Sequence, residues 1–490
     1  MSTTDAAPAP TRGHRAAPSR ATVAVLAGAV VAGALGVVQP LAGLALALVV
    51  LIGTLLRDVP LPRLAPALAL LTVLAAVGGP NLAAPPAPWL FLFRVLIVLL
   101  GLGVVGYLLM DGRLVLPAGL PRPAGVLGVL LLWSAISIGW ADDVLAALRW
   151  TGFLAMMAAL AVAVALLCRD ARRAAVLMWC LAGTFAVACL VAVAEVLTGL
   201  HLPTFRPGVE NRGGLIGVGS LFGNQNNFAA FLALSLPYFA VLPVVYRDAR
   251  LRAVGIAGGA TALVLILLTG SKSGLAAAGL SVLGLLVLVG SDRRSRGRLL
   301  VAAAIAGLAV VLAVPAVTGG GGVVQLDERT VTKLDFGLLL GQVETGQGSG
   351  GVRSALLDEG LGLVSGTDGL GVGAGNAETH VRALADFPGV ANLHNWWLEV
   401  LVNLGVVGFA LYLLLYLTLL RGQVLAARST GSRLARYMCL AGALSLLGWF
   451  VGGVGPSTAI HFTPMWIVIG LGMGAIVLAR RPGGSAPSAS

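Results

Sequence analysis

Asn392-Leu393-His394-Asn395-Trp396-Trp397-Leu398-Glu399 opens an apolar run that continues to about Leu420. Roughly 20 apolar residues suffice for a helix to cross a bilayer, so a polar segment here meets a membrane span. Trp396 and Trp397 suit the water–lipid boundary, because indole has an apolar body and one donor that needs a wet partner. His394 and Asn395 then fall in the first turn, where unpaired backbone N–H groups and the helix dipole favour an anion. An imidazole beside an anion site at a membrane surface points to chemistry on a charged, lipid-attached substrate.

The apolar pattern repeats along the chain. Of 490 residues, 58% are hydrophobic and 11% charged, with a mean hydropathy of +0.96. A soluble domain carries about twice that charged fraction, so the composition predicts an all-α polytopic membrane protein. Span-length apolar segments fall near residues 21–38, 41–56, 64–79, 89–109, 124–140, 145–167 and 173–197. The series continues at 222–245, 253–269, 273–290, 299–317, 394–420, 434–454 and 463–479. The expected count is therefore about 14 transmembrane helices, within a range of 12–14.

Charge sets the expected orientation. The net charge is +12, but no basic run is interleaved with base-stacking aromatics, so no nucleic-acid partner is expected. With the N-terminus inside, 23 of the 32 basic residues lie in the tails or in alternate loops, such as Arg169/Arg172/Arg173 and Arg293/Arg294/Arg296/Arg298. Only six of the 20 acids share that side, and every inner loop obeys the positive-inside rule. The reading divides the chain into a disordered cytoplasmic tail (1–20), N-terminal spans (21–197), an outer loop (198–221) and central spans (222–317). A long extracytoplasmic loop (318–393), C-terminal spans (394–479) and a cytoplasmic tail (480–490) follow. In the long loop, apolar residues at 352, 356 and 363 predict a helix lying along the membrane surface. A structured loop of this length on one face is usually functional. The four cysteines (Cys168, Cys180, Cys189, Cys439) sit in or beside apolar segments, which predicts neither a disulfide nor a metal site.

Three stretches together resemble the O-antigen ligase and O-antigen polymerase superfamily of bacterial envelope glycosyltransferases. They are Phe222-Gly223-Asn224-Gln225-Asn226-Asn227-Phe228-Ala229, then Thr269-Gly270-Ser271-Lys272-Ser273-Gly274, where the family more often has Arg than Lys. The third joins Arg353-Ser354-Ala355-Leu356-Leu357, Gly371-Val372-Gly373-Ala374-Gly375-Asn376 and His394-Asn395, meeting an Arg-x3-Leu pattern and, through Gly405, a His-x10-Gly pattern. The resemblance spans residues 198–420. It implies a GT-C-like bundle on the bacterial cytoplasmic (inner) membrane, and the charge pattern places both termini on the cytoplasmic side. It also implies outward-facing transfer or polymerisation of a glycan from undecaprenyl diphosphate to a glycan, lipid or protein acceptor.

For His394 the resemblance implies the catalytic base; imidazole titrates near neutrality and can take a hydroxyl proton. The plainer role is an interfacial helix cap. Arg353 would hold the diphosphate, since guanidinium offers paired donors and keeps its charge; the plainer role is a loop arginine paired with Asp358 or Glu359. Arg212, or Arg206 in its place, is the candidate second phosphate clamp. Asn224, Asn226 and Asn227 are substrate-contact candidates, although at least one amide is expected to cap the following helix. Lys272 is either another positive group for the diphosphate or a snorkelling lysine, and Asn395 joins the substrate-binding set. Glu399, a carboxylate inside an apolar segment, needs a partner. His461 reads as structural, and Arg94 and Arg149 as anchors.

Gly371 to Gly375 looks like a dinucleotide loop but has no strand–helix context, and Thr269 to Gly274 lacks Walker spacing. With no cofactor motif and no metal cluster, the expected enzyme is metal-independent and inverting, with no residue suited to a covalent intermediate. The rival class is a transporter or flippase of anions or lipid-linked sugars, which would place charges in mid-span on broken, repeated helices. Here the polar groups gather at one face.

Overall fold

The computed structural model describes residues 61–84, 87–111, 121–204, 217–289, 348–383, 392–456 and 459–481. Expected spans 21–38, 41–56 and 299–317 lie outside the described residues, as do the 1–20 tail and much of the 318–393 loop. Each of the other eleven expected spans meets a helix. In chain order these are α1 (Leu61–Gly78), α2 (Leu92–Asp111), α3 (Pro121–Ile136), α4 (Val144–Leu167) and α5 (Ala171–Thr198). Next come α6 (Gln225–Ala240), continued by a short α7 (Leu242–Val245), then α8 (Ala249–Thr269) and α9 (Lys272–Val289). Two loop helices follow, α10 (Gly348–Gly366) and α11 (Ala377–Ala383), before α12 (Trp396–Ser429), α13 (Arg433–Gly452) and α14 (Thr463–Ala479). Among the described residues, eight helices are long and apolar enough to cross a membrane, and α9, α14 and the start of α2 are shorter apolar helices. The protein is an all-α polytopic membrane protein. A small antiparallel ribbon, β1 (Ala83–Ala84) with β2 (Ala87–Phe91), is added between α1 and α2.

The chain forms two compact units. The first, residues 1–66 and 99–115, includes the start of α1 and the end of α2. The second, residues 67–98 and 116–490, holds the rest of α1, the start of α2 and the bundle from α3 onward.

Local signals explain where helices begin. Asp143, Asp170, Asn224, Asp248, Asn395 and Ser432 each accept a backbone N–H of the following turn through the side chain, satisfying donors that a helix leaves orphaned. Gly199 and Gly270 end α5 and α8 in the left-handed region. The centre is α6, α13 and α14, whose small residues allow backbones to approach where lipid offers no hydrophobic drive. Ser445 donates to the Leu234 carbonyl at 2.7 Å, and Ser281 donates to that of Leu444 at 3.1 Å. Tyr416 donates to the Leu446 carbonyl at 2.7 Å. By contrast α5 turns Trp179, Val187 and Leu190 outward, as a lipid-facing helix does.

One expectation for the opening stretch is corrected. Trp396 is only 1% exposed, packed edge-on against Tyr412 and Trp466, rather than at the water–lipid boundary. Successive helix residues point about 100° apart, so two adjacent indoles cannot both face lipid. Trp397 is the half-exposed one, with its indole N–H donated to the Phe450 carbonyl at 2.9 Å.

Candidate active site

Several helix ends meet at one end of the bundle, among them the starts of α6, α9, α12 and α14 and the ends of α5 and α13. Trp396 N–H donates to the Gly453 carbonyl at 2.9 Å, tying the start of α12 to the loop after α13. A Cβ on Gly455 of that loop would come 2.5 Å from Ser273 Oγ, so the turn carrying Lys272 lies against it. A Cβ on Gly274 would meet that of Ala229 at 2.7 Å, which brings in the start of α6 with Asn224, Asn226 and Asn227.

His394 does not lie within the first turn. It precedes the N-cap, Asn395, and holds a left-handed backbone, φ 49°. Asn392 Oδ1 accepts the His394 N–H at 3.3 Å, while Asn395 Oδ1 accepts those of Trp397 and Leu398 at 3.1 and 3.4 Å. The Asn-Leu-His-Asn run thus folds into a bend stabilised by its own amides, which sets the imidazole outside the helix. The capping also commits the Asn395 side-chain oxygen.

Arg353, on α10, is brought to His394. Burial, with the Arg353 charge acting in the same direction, lowers the His394 imidazole to about 4. Their proximity depends on how the long loop folds. Leu356 of α10 packs with Val372, Ala377, Val381, Leu393, Leu398 and Val402 in one buried cluster. The helix expected around residues 352–363 therefore buries its apolar face on the loop and α12.

The glycine stretch that resembles a dinucleotide loop is instead a joint. Gly369, Gly371, Gly373 and Gly375 all have positive φ, and the chain threads between the α3–α4 corner and α12. Trp140 Nε1 donates to the Gly371 carbonyl at 3.1 Å, and Ala374 N–H to Ser137 Oγ at 3.1 Å. Asn376 Oδ1 accepts the Asp143 N–H at 2.7 Å, and Asn403 Oδ1 accepts that of Ala377 at 3.0 Å. Opposite them α12 breaks at Gly405 (φ 67°, ψ −169°), where Val406 N–H reaches the Gly369 carbonyl at 2.8 Å.

Glu399 is buried in the first turn of α12 and receives the Trp150 indole N–H at a long 3.5 Å. A second cationic group, Arg94, does more than the anchoring expected of it. Its guanidinium sits over the rings of Phe91 and Phe153 at 4.3 and 5.1 Å. Phe153 meets His461 edge-on at 4.1 Å. Burial, with Arg94 adding to it, lowers the His461 imidazole to about 4. His461 as a whole is nonetheless exposed to solvent. Aromatic residues flanking an arginine at a helix start were the available signal for this group.

Asn224 Oδ1 is engaged by the Asn227 N–H at 2.8 Å, so this amide caps α6, and Asn227 Nδ2 donates to the Phe222 carbonyl at 3.3 Å. Asn226 is half-buried in the same turn. Arg206 and Arg212 lie outside the described residues, but both ends of their loop are anchored. Glu195, in the last turn of α5, accepts the N–H groups of Gly219 and Ser220 at 3.0 and 2.8 Å, and His201 Nδ1 lies 3.2 Å from its other oxygen. Glu195→Ala would strand two buried amides, and thermal unfolding of the purified protein should show a loss of about 2 kcal/mol.

This end of the bundle has a neutral, largely buried imidazole, guanidinium groups on two elements and a lysine at a helix start. Such a set can bind an anion and take a proton. Residues 257–413 match the O-antigen ligase family. The resemblance read from the sequence is thereby borne out over a segment containing Lys272, Arg353, His394 and Gly405. The chain is also 27% identical over 266 residues to the teichuronic acid biosynthesis protein TuaE of Bacillus subtilis (strain 168), covering 54% of this chain and 52% of that protein. The chain thus spans about half the length of that relative.

Proposed function

We propose that the protein transfers or polymerises a glycan carried on a polyprenyl diphosphate, at the outer face of the cytoplasmic membrane, as an O-antigen ligase-like enzyme. The observation that carries this reading is the Arg353 guanidinium acting on the largely buried imidazole of His394. The family match and a relative named for teichuronic acid biosynthesis support a glycan substrate, and with it transfer rather than transport.

In this mechanism His394 is neutral at pH 7 and takes the acceptor hydroxyl's proton as its oxygen attacks the anomeric carbon. The bond from that carbon to the diphosphate breaks, and the electron pair leaves on the diphosphate. Arg353 neutralises the departing charge, with Lys272 and Arg212 or Arg206 as the other positive groups. Attack opposite the leaving group in one step inverts the anomeric centre, and a retained configuration in the product would exclude it.

Donor binding changes the base. Burial is the larger cause of the depressed imidazole, but a diphosphate against Arg353 would cancel the arginine's share, so the imidazole gains proton affinity in the complex. kcat/KM reports groups of the free enzyme and kcat those of the complex. The acid limb of kcat/KM is therefore expected near pH 4, where the free-enzyme imidazole titrates, and that of kcat at higher pH. Coincident limbs would remove Arg353 from the neighbourhood of the base.

The deciding experiment is the pool of lipid-linked glycan in cells with wild type, His394→Ala or Arg353→Ala at matched protein levels. Accumulation on the outer face in both variants supports transfer chemistry. Stalled single units then identify a polymerase and stalled long chains a ligase to a lipid or protein acceptor. An unchanged pool would take both residues out of the reaction, and accumulation on the inner face alone would indicate a flippase.

A further inference from the structure

A cavity of about 190 Å³ opens on the side of the bundle, walled by α5, α6, α8, α13 and α14 and mostly apolar. Along α6 it runs from Phe231 to Leu242, roughly 16 Å at the helical rise and so about the depth of one leaflet. Val77 and Pro464 line its far end. Its other end is lined by Tyr246, Leu251 and Leu434, at the bundle end opposite His394.

A further observation identifies what fits. The second end is rimmed by positive charge. Arg250 and Arg433 are exposed and immediately precede the lining residues Leu251 and Leu434, and Arg433 is close enough to Tyr246 to act on it electrostatically. Asp248 shares this rim, but its carboxylate accepts the N–H groups of Arg250 and Leu251, both at 3.0 Å. An anion at the rim and an apolar tail one leaflet deep describe a single class of molecule.

We propose that this groove is a binding site for an anionic phospholipid. Its phosphate lies at Arg250 and Arg433, and one acyl chain fills the space between α5 and α6. A donor reacting at His394 would present its diphosphate at the other end. The site is separate from the proposed transfer reaction, and its test uses no activity.

Purified full-length protein, stripped of lipid, is incubated with phosphatidylglycerol or with phosphatidylcholine of the same chains and examined by native mass spectrometry. One retained phosphatidylglycerol per chain is expected, preferred over phosphatidylcholine by roughly tenfold. Arg250→Gln with Arg433→Gln should abolish the preference. Ala182→Trp, which fills the groove from α5, should abolish retention of both lipids, and Ser235→Phe should do the same from α6, so that two independent walls guard against one misfolded variant. Equal retention of the two lipids by wild type would overturn the proposal, as would undiminished retention in both groove-filling variants. Displacement of phosphatidylglycerol by a polyprenyl phosphate would also overturn it and give the groove to the carrier's tail.

Discussion

His394→Ala is expected to slow glycan transfer by about 10²- to 10⁴-fold while leaving donor affinity nearly unchanged, the range for loss of a positioned general base. The imidazole lies before the first turn of α12, outside the hydrophobic cluster beneath it, so its removal opens no core cavity. A left-handed backbone at a non-glycine residue costs on the order of 1–2 kcal/mol. This cost makes His394→Gly the sharper variant: φ 49° is then relaxed, and thermal stability should hold or rise while turnover falls as far as in the alanine variant. A residue that merely supports the fold would lose stability and activity together. Added imidazole should restore part of the turnover of either variant, since the space vacated is that of the proposed base. Wild-type turnover in His394→Gly would end the assignment of His394 as base.

The spans were legible because the signal for them is local. About twenty apolar residues, a capping Asp, Asn or Ser before them and a glycine after them are all contained in one window of sequence. Expected 463–479 meets Thr463–Ala479, and expected 145–167 meets Val144–Leu167. What was not legible depends on residues far apart in the chain. Asn376 with Asp143 and Trp140 with Gly371 are more than 200 positions apart, and no periodicity reports such contacts. The placement of Arg353 beside His394 could be expected only from resemblance, since spacing alone equally allows Arg353 to pair with Asp358 or Glu359. Trp396 went inward because the start of α12 is enclosed by α13 and α14, a tertiary fact that overrides the interfacial preference of indole. The glycine run looked like a nucleotide loop for a related reason: both uses need glycine where backbones approach closely, and only the partner tells them apart.

Gly405→Ala is expected to have the second largest effect, through the joint that holds Arg353 beside His394. At φ 67° and ψ −169° the residue occupies a region open essentially to glycine alone. A Cβ there would overlap the Gly369 carbonyl oxygen and the carbonyl of Leu370. Those atoms are backbone and cannot rotate away as a side chain could. They are further fixed by Val406 N–H to the Gly369 carbonyl at 2.8 Å and Val372 N–H to the Val402 carbonyl at 2.9 Å. Strain and overlap together should cost about 3 kcal/mol or more. The easier route for the chain is to release the 369–376 segment from α12, which carries α10 and Arg353 with it. The expected result is a span bundle that still folds, a loop newly cleaved by protease near residues 369–376, and transfer reduced at least as far as in Arg353→Ala. Gly362→Ala is the matched control, because a Cβ at that position of α10 meets nothing within 4 Å; it should leave both protease resistance and turnover intact. If Gly405→Ala instead kept wild-type turnover and an uncut loop, the helix break would not be what holds the arginine to the base, and the site would have to be held together by the buried cluster around Leu356 alone.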